Sequence, residues 1–249
     1  MDILLLTGIF TLGLISGFVG NVMGVGGFVN VPLMIVMGLP PHAAIAANRF
    51  GSLGMEAAAL ARYISTNYIY WPWIGILALL GVAGGVIGSN LVITIAPGTL
   101  KGIIAFLILM FVPILLVHKH IGVEERLHAK TKALRAMMLA LFFLIMIYGG
   151  FLGAGATPLF IMVLCGVGGM TILQAKATTA IPWFCMSLVS TIVFWMNGFV
   201  VWSYCLTALA GMASGGYLGT HVAIKIGNRN LRYLFIVFCV ITAVALLIR

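Results

Sequence analysis

Five polar side chains interrupt a long apolar stretch of the sequence: Asn48, Arg49, Ser52, Glu56 and Arg62. If this stretch is a helix of 3.6 residues per turn, Arg49, Ser52 and Glu56 share one face. An arginine deep in an apolar segment needs a partner, because an unpaired charge is costly there. That partner is either Glu56, which makes the pair structural, or an anionic ligand, unless Arg49 extends outward to water. We favour the ligand, with Glu56 carrying a proton or a compensating charge.

Two glycine-rich turns offer a second kind of anion-binding group. Residues 20–27 (GNVMGVGG) and residues 153–158 (GAGATP) each precede a short apolar segment. The first turn of a helix leaves backbone amides without partners, and such amides attract anions. If the two turns meet in the fold, they form a pocket that favours negative charge. The alternative is that the glycines only allow close helix packing.

A second polar helix is predicted near residues 172–196, where Thr178 and Thr179 precede Pro182. Pro182 cannot donate to the carbonyl of Thr178, so we expect a kink that exposes this oxygen beside two hydroxyls. Both threonines are therefore candidates for the site, although threonines in membrane helices also bond their own preceding carbonyls. Lys176 lies one turn from the helix start, and we expect it at the membrane interface.

These arguments define one candidate site for a small anion. Glu56 is its predicted coupling residue. The predicted substrate-binding residues are Asn21, Gly24, Gly26, Gly27, Asn48, Arg49, Ser52, Gly153, Gly155, Thr157, Thr178 and Thr179.

No catalytic residue, metal ligand or cofactor is predicted. The histidines mostly map to segment ends or the central loop and form no HExxH motif, and no GxSxG motif is present. The four cysteines stand singly, without the paired spacing of a zinc site or a disulfide framework. No P-loop is present, so we expect no use of ATP by this chain. The expected partners are the anion, the lipid bilayer and possible further copies of the chain, but not nucleic acid.

The elements that must position these residues are membrane spans. The chain has 63% hydrophobic and 7% charged residues and a mean hydropathy of +1.23, which excludes an ordinary soluble domain. A crossing needs about 20 apolar residues. The predicted segments are 3–22, 26–38, 43–63, 71–95, 99–118, 134–152, 156–168, 172–196, 199–222 and 230–248.

Charge placement predicts whether the short segments 26–38 and 156–168 cross the membrane or re-enter it. If both cross, the basic loop 118–135, Lys176 and the cluster 225–232 all lie near the cytoplasmic face, as the positive-inside rule requires. If both re-enter, Lys176 and that cluster lie outside. We therefore predict ten crossings with both termini outside.

The two halves of the chain are similar in sequence. Residues 84–89 (GGVIGS) recur as residues 215–220 (GGYLGT), and Trp71 recurs as Trp202 at the same spacing. Five segments per half give the halves opposite orientations, as in transporters built from inverted repeats. We predict that the recurring glycines pack helices closely. The predicted units are a first repeat at 1–118, a cytoplasmic linker at 119–133 and a second repeat at 134–249.

Together these features resemble the TauE/SafE sulfite exporter family. The resemblance covers nearly the whole chain: a Gly-Val-Gly-Gly turn before Val-Pro-Leu, a polar third helix, a Gly-Gly-x-x-Gly-Ser/Thr helix and a degenerate second copy. It implies a bacterial or archaeal inner-membrane carrier of sulfur-containing anions such as sulfite and sulfonates. The matching turn positions are Gly24, Gly26, Gly27, Gly153 and Gly155. Ala156 and Thr157 depart from the glycine-rich pattern, which makes the two turns unequal.

Three classes of function remain open. A carrier predicts polar residues that converge from both halves, a channel predicts a continuous polar stripe, and an enzyme predicts a nucleophile or a metal set. The local polar clusters favour a secondary transporter of a small sulfur-containing oxyanion that works by alternating access. The alternative is an anion channel, or a carrier of another small anion such as a carboxylate or thiosulfate. The coupling ion, the direction of transport and the oligomeric state stay open.

Overall fold

The computed structural model describes residues 3–104, 106, 131–153 and 155–247; side chains of residue 232 and of residues 235–247 are not described. These residues form helices and connections without strands, so the predicted all-α class is confirmed for them. A further helical stretch covers residues 97–104. The longer elements are α1 (Ile3–Met23), α2 (Gly26–Val36), α3 (Pro41–Tyr63), α4 (Trp71–Ile93), α5 (Lys132–Phe151), α6 (Ala156–Gly166), α7 (Ile172–Met196) and α8 (Trp202–Leu247).

Four of the helices in the described ranges, α1, α4, α5 and α7, are long and apolar enough to cross a membrane by length and composition. The chain is therefore a multi-pass membrane protein. α8 combines two predicted segments, and Gly227 breaks it with a φ of 73° and a ψ of 174°. Most of predicted segment 99–118, most of linker 119–133 and both terminal residues lie outside the described part of the chain.

Helix α1 runs parallel to α8. The Cβ position of Gly13 lies 3.2 Å from the carbonyl oxygen of Ala208, and Gly17, one turn further along α1, packs against Met212. Residue numbers thus rise together along the two helices. The small residues allow the two backbones to approach closely, which is how helices associate in membranes.

Helix α3 also runs parallel to α8. Gly51 packs against Ala208, and near the other end of α3 the Arg62 guanidinium meets the imidazole of His221. Because α1 and α3 both follow α8, they point in the same direction. The chain must therefore return between them through α2.

Helix α2 makes this return although it is short. Its 11 residues span about 16 Å at 1.5 Å per residue, roughly half of a bilayer core. At its start the Ser16 hydroxyl donates to the carbonyl of Gly26 at 2.8 Å, and just beyond its end Met37 packs against Gly8. A re-entrant α2 would make α1 and α3 antiparallel, so the observed directions support a crossing.

Helix α4 packs against α5 and α7 of the second half of the chain. Gly84 packs against Met146 and Gly88 against Phe151, both on α5, which makes α4 and α5 parallel. Gly85 packs against Met186 of α7. The glycine motif of α4 therefore packs helices together, as predicted.

The second glycine motif makes the matching contacts. Gly215 packs against Leu14 and Gly219 against Phe18, both on α1, while Gly216 packs against Met55 of α3. α8 thus covers α1 and α3 in the way that α4 covers α5 and α7. The packing role predicted for this motif is confirmed as well.

The third helices of the two halves, α3 and α7, run antiparallel at the centre of the protein. The Arg49 Nη1 atom lies 3.9 Å from the Met186 sulfur, whereas Tyr63, near the end of α3, packs with Ala177 near the start of α7. Polar groups carried by the middle of these two helices therefore face each other.

The packing contacts predict a position-dependent cost for glycine replacement on α4. Gly88→Ala should destabilise the protein by about 1–3 kcal/mol, because the new methyl group overlaps the α5 backbone. Gly75→Ala, on the same helix with no atom near its Cβ position, should leave stability unchanged or raise it by about 0.5–1 kcal/mol. The unfolding midpoint of each purified variant in detergent measures the difference. Equal midpoints would contradict the packing described here.

Candidate functional site

A small polar cavity lies at the centre of the protein between α3 and α7. Its volume is about 50 Å³, measured as the space open to the centre of a water molecule. The cavity therefore has room for waters or one small anion. The predicted site residues that line it are Asn21, Gly24, Gly26, Gly27, Asn48, Arg49, Ser52, Glu56, Gly153, Thr157 and Thr179.

Two predicted residues lie elsewhere. The Thr178 hydroxyl accepts a hydrogen bond of 3.0 Å from the backbone amide of Tyr70, so it holds the connection before α4 instead of lining the cavity. Adjacent helical positions face different sides, which is why only Thr179 reaches the site. Gly155 precedes the first turn of α6 with a φ of 75° and shapes the turn without contributing to the cavity wall.

The two glycine-rich turns meet at the cavity, as the sequence predicts. The Cβ position of Gly24 lies 2.7 Å from the Thr157 side chain. The first turns of α2 and α6 therefore open at the same place, through Gly26, Gly27 and Thr157. Among the described residues no side chain caps either helix N-terminus. Their partly positive ends therefore lie at the cavity without a side-chain cap.

Arg49 is fully buried and bridges the two halves of the protein. Its Nη2 donates to the carbonyl of Gly149 near the end of α5, and its guanidinium carbon lies 5.8 Å from the ring centre of Trp183. Its Nε has no hydrogen-bond partner among the described residues.

The observed contacts correct two interpretations of Arg49. In the described part of the chain it donates to a helix carbonyl and, weakly, to the Met186 sulfur, and it makes no bond to Glu56. Its complete burial excludes extension to water. The physical reason is that the last carbonyls of a helix carry partial negative charge and lack intrahelical donors. They attract an arginine from the neighbouring half.

Lys176 also lies in the cavity wall, which corrects the expectation of an interfacial position. Its side chain is 8% exposed, and its Nζ donates to the carbonyl of Asn21 and, at 3.2 Å, to that of Val22. These are the last carbonyls of α1. The start of α7 packs against the end of α1 inside the protein, so proximity to a helix start does not place a side chain at the membrane surface.

Glu56 completes the charged set of the cavity. Its side chain is 9% exposed, and it lines the cavity together with Arg49 and Lys176. Among the described residues, the cavity wall therefore carries two basic side chains and one acidic side chain.

Two asparagine side chains in the cavity wall are held by hydrogen bonds. Asn21 donates to the Gly216 carbonyl at 3.0 Å and to the Thr220 hydroxyl at 2.9 Å. Asn48 accepts a hydrogen bond of 2.9 Å from Asn30, a residue not predicted from the sequence. The hydrogen bonds hold each amide in one orientation beside the cavity.

Two hydroxyl groups of the site, those of Ser52 and Thr179, bond carbonyls of their own helices. Ser52 donates to the carbonyl of Asn48 at 2.8 Å, and Thr179 donates to the carbonyl of Ala175 at 2.8 Å. Thr179 therefore bonds a preceding carbonyl of its own helix, which is the alternative given above for the two threonines. A donated hydroxyl still offers its oxygen lone pairs, so these groups provide acceptors to the cavity.

The remaining walls are apolar or aromatic. Phe160 and Trp183 meet edge to face with ring centres 5.4 Å apart, and Met55 and Met212 line the cavity beside them. Within the described residues no cluster of His, Cys, Asp and Glu is placed to hold a metal ion. The arrangement suits a compact anion with few atoms.

Comparison with known proteins identifies the family. A family model described as "Sulfite exporter TauE/SafE" matches residues 9–246. The chain belongs to the TauE/SafE family. The resemblance seen in the sequence is confirmed.

Relatives of this TauE/SafE protein are named as probable membrane transporter proteins. ORF9 of Sinorhizobium sp is 27% identical over 244 residues, covering 98% of this chain and 92% of the relative. A Haemophilus influenzae relative is 23% identical over 233 residues, covering 94% and 91%, and YfcA of Escherichia coli K12 is 21% identical over 246 residues, covering 98% and 90%. No solved structure matches the chain. This TauE/SafE protein is a membrane transporter.

The glycine turn of the second half provides a direct test of the site geometry. Gly153 has a φ of 74°, and a Cβ atom there would overlap the Arg49 guanidinium. Gly198 has a φ of 75° with no atom near its Cβ position. Both alanine variants carry the backbone strain of about 1–2 kcal/mol, so Gly153→Ala should unfold at a lower temperature than Gly198→Ala. Indistinguishable unfolding midpoints would contradict the position assigned to Arg49.

Proposed function

We propose that this TauE/SafE protein is a secondary transporter that moves a small sulfur-containing oxyanion, such as sulfite or a sulfonate, across the inner membrane by alternating access. The observation that carries the proposal is the central cavity, where two uncapped helix N-termini, Arg49 and Lys176 meet. Such a site favours negative charge, because helix N-termini and basic side chains both attract anions.

The unused hydrogen-bonding capacity of Arg49 supports an anionic substrate. Its guanidinium carries five N–H donors; among the described residues, Nη2 donates to the Gly149 carbonyl, Nη1 lies 3.9 Å from the Met186 sulfur and Nε has no partner. A buried donor without a partner costs free energy of about 1–3 kcal/mol. An oxyanion in the cavity would satisfy Nε and add a charge-assisted hydrogen bond.

The size of the cavity and the family name support the substrate class. About 50 Å³ of open space has room for an ion of a few heavy atoms. The family model is described as a sulfite exporter. The apolar wall of Phe160 and Trp183 suits a sulfonate with a small carbon group.

Alternating access requires two halves that move about the site. We infer an inverted repeat with units at 1–118 and 134–249 and a cytoplasmic linker at 119–133. The antiparallel α3 and α7, and the matching contacts of α4 and α8, support this assignment. Each half contributes one basic side chain and one glycine-rich turn to the cavity, so rocking of one half against the other would expose the site to either side.

The first test replaces Arg49. Arg49→Ala should abolish uptake of radiolabelled sulfite into proteoliposomes, and Arg49→Lys should weaken affinity about tenfold because lysine keeps the charge but loses the planar fork. The double variant Arg49→Ala with Glu56→Ala should stay inactive, because Arg49 bonds the Gly149 carbonyl and not Glu56. Recovery of transport in the double variant would remove Arg49 from the substrate site.

Uptake kinetics and ligand binding test the transport class. We expect uptake that saturates with substrate and is accelerated by unlabelled substrate on the opposite side, as for a carrier. Sulfite or methanesulfonate at tenfold its dissociation constant should stabilise the folded protein by about 1.4 kcal/mol. Flux that rises linearly with concentration would contradict the carrier, and stabilisation by acetate alone would contradict the sulfur-containing substrate.

The proposed orientation in the membrane places both termini outside and the central loop in the cytoplasm. It is tested by labelling single cysteines in intact cells. In a background without native cysteines, Asp2→Cys and Arg249→Cys should react with a membrane-impermeant maleimide from the outside. Glu124→Cys in the central loop should react only after the inner membrane is permeabilised. Labelling of Glu124→Cys in intact cells, with residues 2 and 249 protected, would contradict the ten-crossing model.

A further inference from the structure

Lys176 occupies a position equivalent in chemistry to that of Arg49. Arg49 crosses from α3 to the Gly149 carbonyl near the end of α5, and Lys176 crosses from α7 to the carbonyls of Asn21 and Val22 at the end of α1. Each half thus sends one basic side chain to the last turn of the first helix of the other half. Both side chains line the same cavity.

The contacts of Lys176 leave it able to bind a ligand. An ammonium group has three N–H donors, and two of them are directed at the α1 carbonyls. A helix C-terminus carries about half an elementary negative charge, whereas an oxyanion carries a full one. An anion in the cavity therefore competes effectively for this ammonium group.

Glu56 limits the positive charge of the site. It lines the same cavity as Lys176 and Arg49. Transfer of one proton between Lys176 and Glu56 leaves the sum of their charges at zero. Arg49 then supplies a net charge of one, which a singly charged anion neutralises completely. A doubly charged anion would leave an uncompensated buried charge, which is costly.

We infer that Lys176 is a second anion-binding residue of the proposed transport site and that the Lys176–Glu56 pair restricts the site to singly charged oxyanions such as hydrogensulfite or an alkylsulfonate. The inference rests on the proposed function. It adds to that function a residue and a rule for substrate charge.

The test compares methanesulfonate, a monoanion, with sulfate, a dianion, in equilibrium binding to the purified protein. The wild-type protein should bind methanesulfonate at least tenfold more tightly than sulfate. Lys176→Met removes one positive charge and should weaken methanesulfonate binding at least tenfold, whereas Lys176→Arg should retain most of it. Lys101→Met, which removes an exposed lysine, is the matched control and should bind as the wild type does.

A second set of variants distinguishes an effect of the net charge of the cavity from the loss of a contact with Lys176. Glu56→Gln raises the net positive charge of the cavity by one and should shift the binding ratio at least tenfold toward sulfate. The double variant Glu56→Gln with Lys176→Met returns to the wild-type charge and should return toward the wild-type ratio. The Glu56→Gln measurement does not depend on the folding of Lys176→Met, because glutamine keeps the size of the replaced side chain.

Two results would overturn the inference: wild-type affinity in a folded Lys176→Met, or an unchanged binding ratio in Glu56→Gln. If Arg49→Ala still loses binding in the same assay, the proposed transport site stands without the charge rule. If Arg49→Ala also binds methanesulfonate as the wild type does, the proposed function fails together with the inference.

Discussion

Carbonyl and amide groups at helix ends lack hydrogen-bond partners within their own helix. The structure depends on which groups at the cavity provide these partners. α1 and α5 end at the cavity, and α2 and α6 begin there. A membrane protein tolerates such broken helices only where protein or a polar cavity surrounds the free groups. Arg49 and Lys176 supply donors to the two carbonyl ends. The two amide ends have no comparable side-chain partner among the described residues, and this imbalance makes the cavity suited to an anion.

The same hydrogen bonds connect the site to the movement that transport requires. Arg49 and Lys176 each join one half of the chain to the other, whereas the glycine motifs of α4 and α8 fix the packing around them. In the proposed cycle, an anion that draws both basic side chains inward weakens two bonds between the halves at once. The free energy of anion binding would then favour one relative position of the two halves over another, as an alternating-access mechanism requires.

Sequence periodicity and composition predicted most of the described helices and many of the residues that line the candidate cavity. Apolar length and glycine turns predicted the helix bounds closely, and a polar face on one apolar helix predicted that Arg49 and Glu56 share a cavity. The position of Lys176 does not follow from its distance to a helix start, because the start of α7 packs against the end of α1 inside the protein. Such a tertiary contact is not encoded in local spacing. The position of Thr178 does follow from local spacing, because two adjacent threonines cannot face one side of a helix.

The most direct test of the central claim is the position of a bound anion. Selenite replaces sulfite by an oxyanion with a strong anomalous X-ray signal, and crystals grown with it would locate the ion at the selenium absorption edge. The account predicts an anomalous peak in the central cavity, with oxygens at about 2.7–3.2 Å from the nitrogens of Arg49 and Lys176. Selenite bound elsewhere in the protein, with both basic side chains still on the α5 and α1 carbonyls, would contradict it.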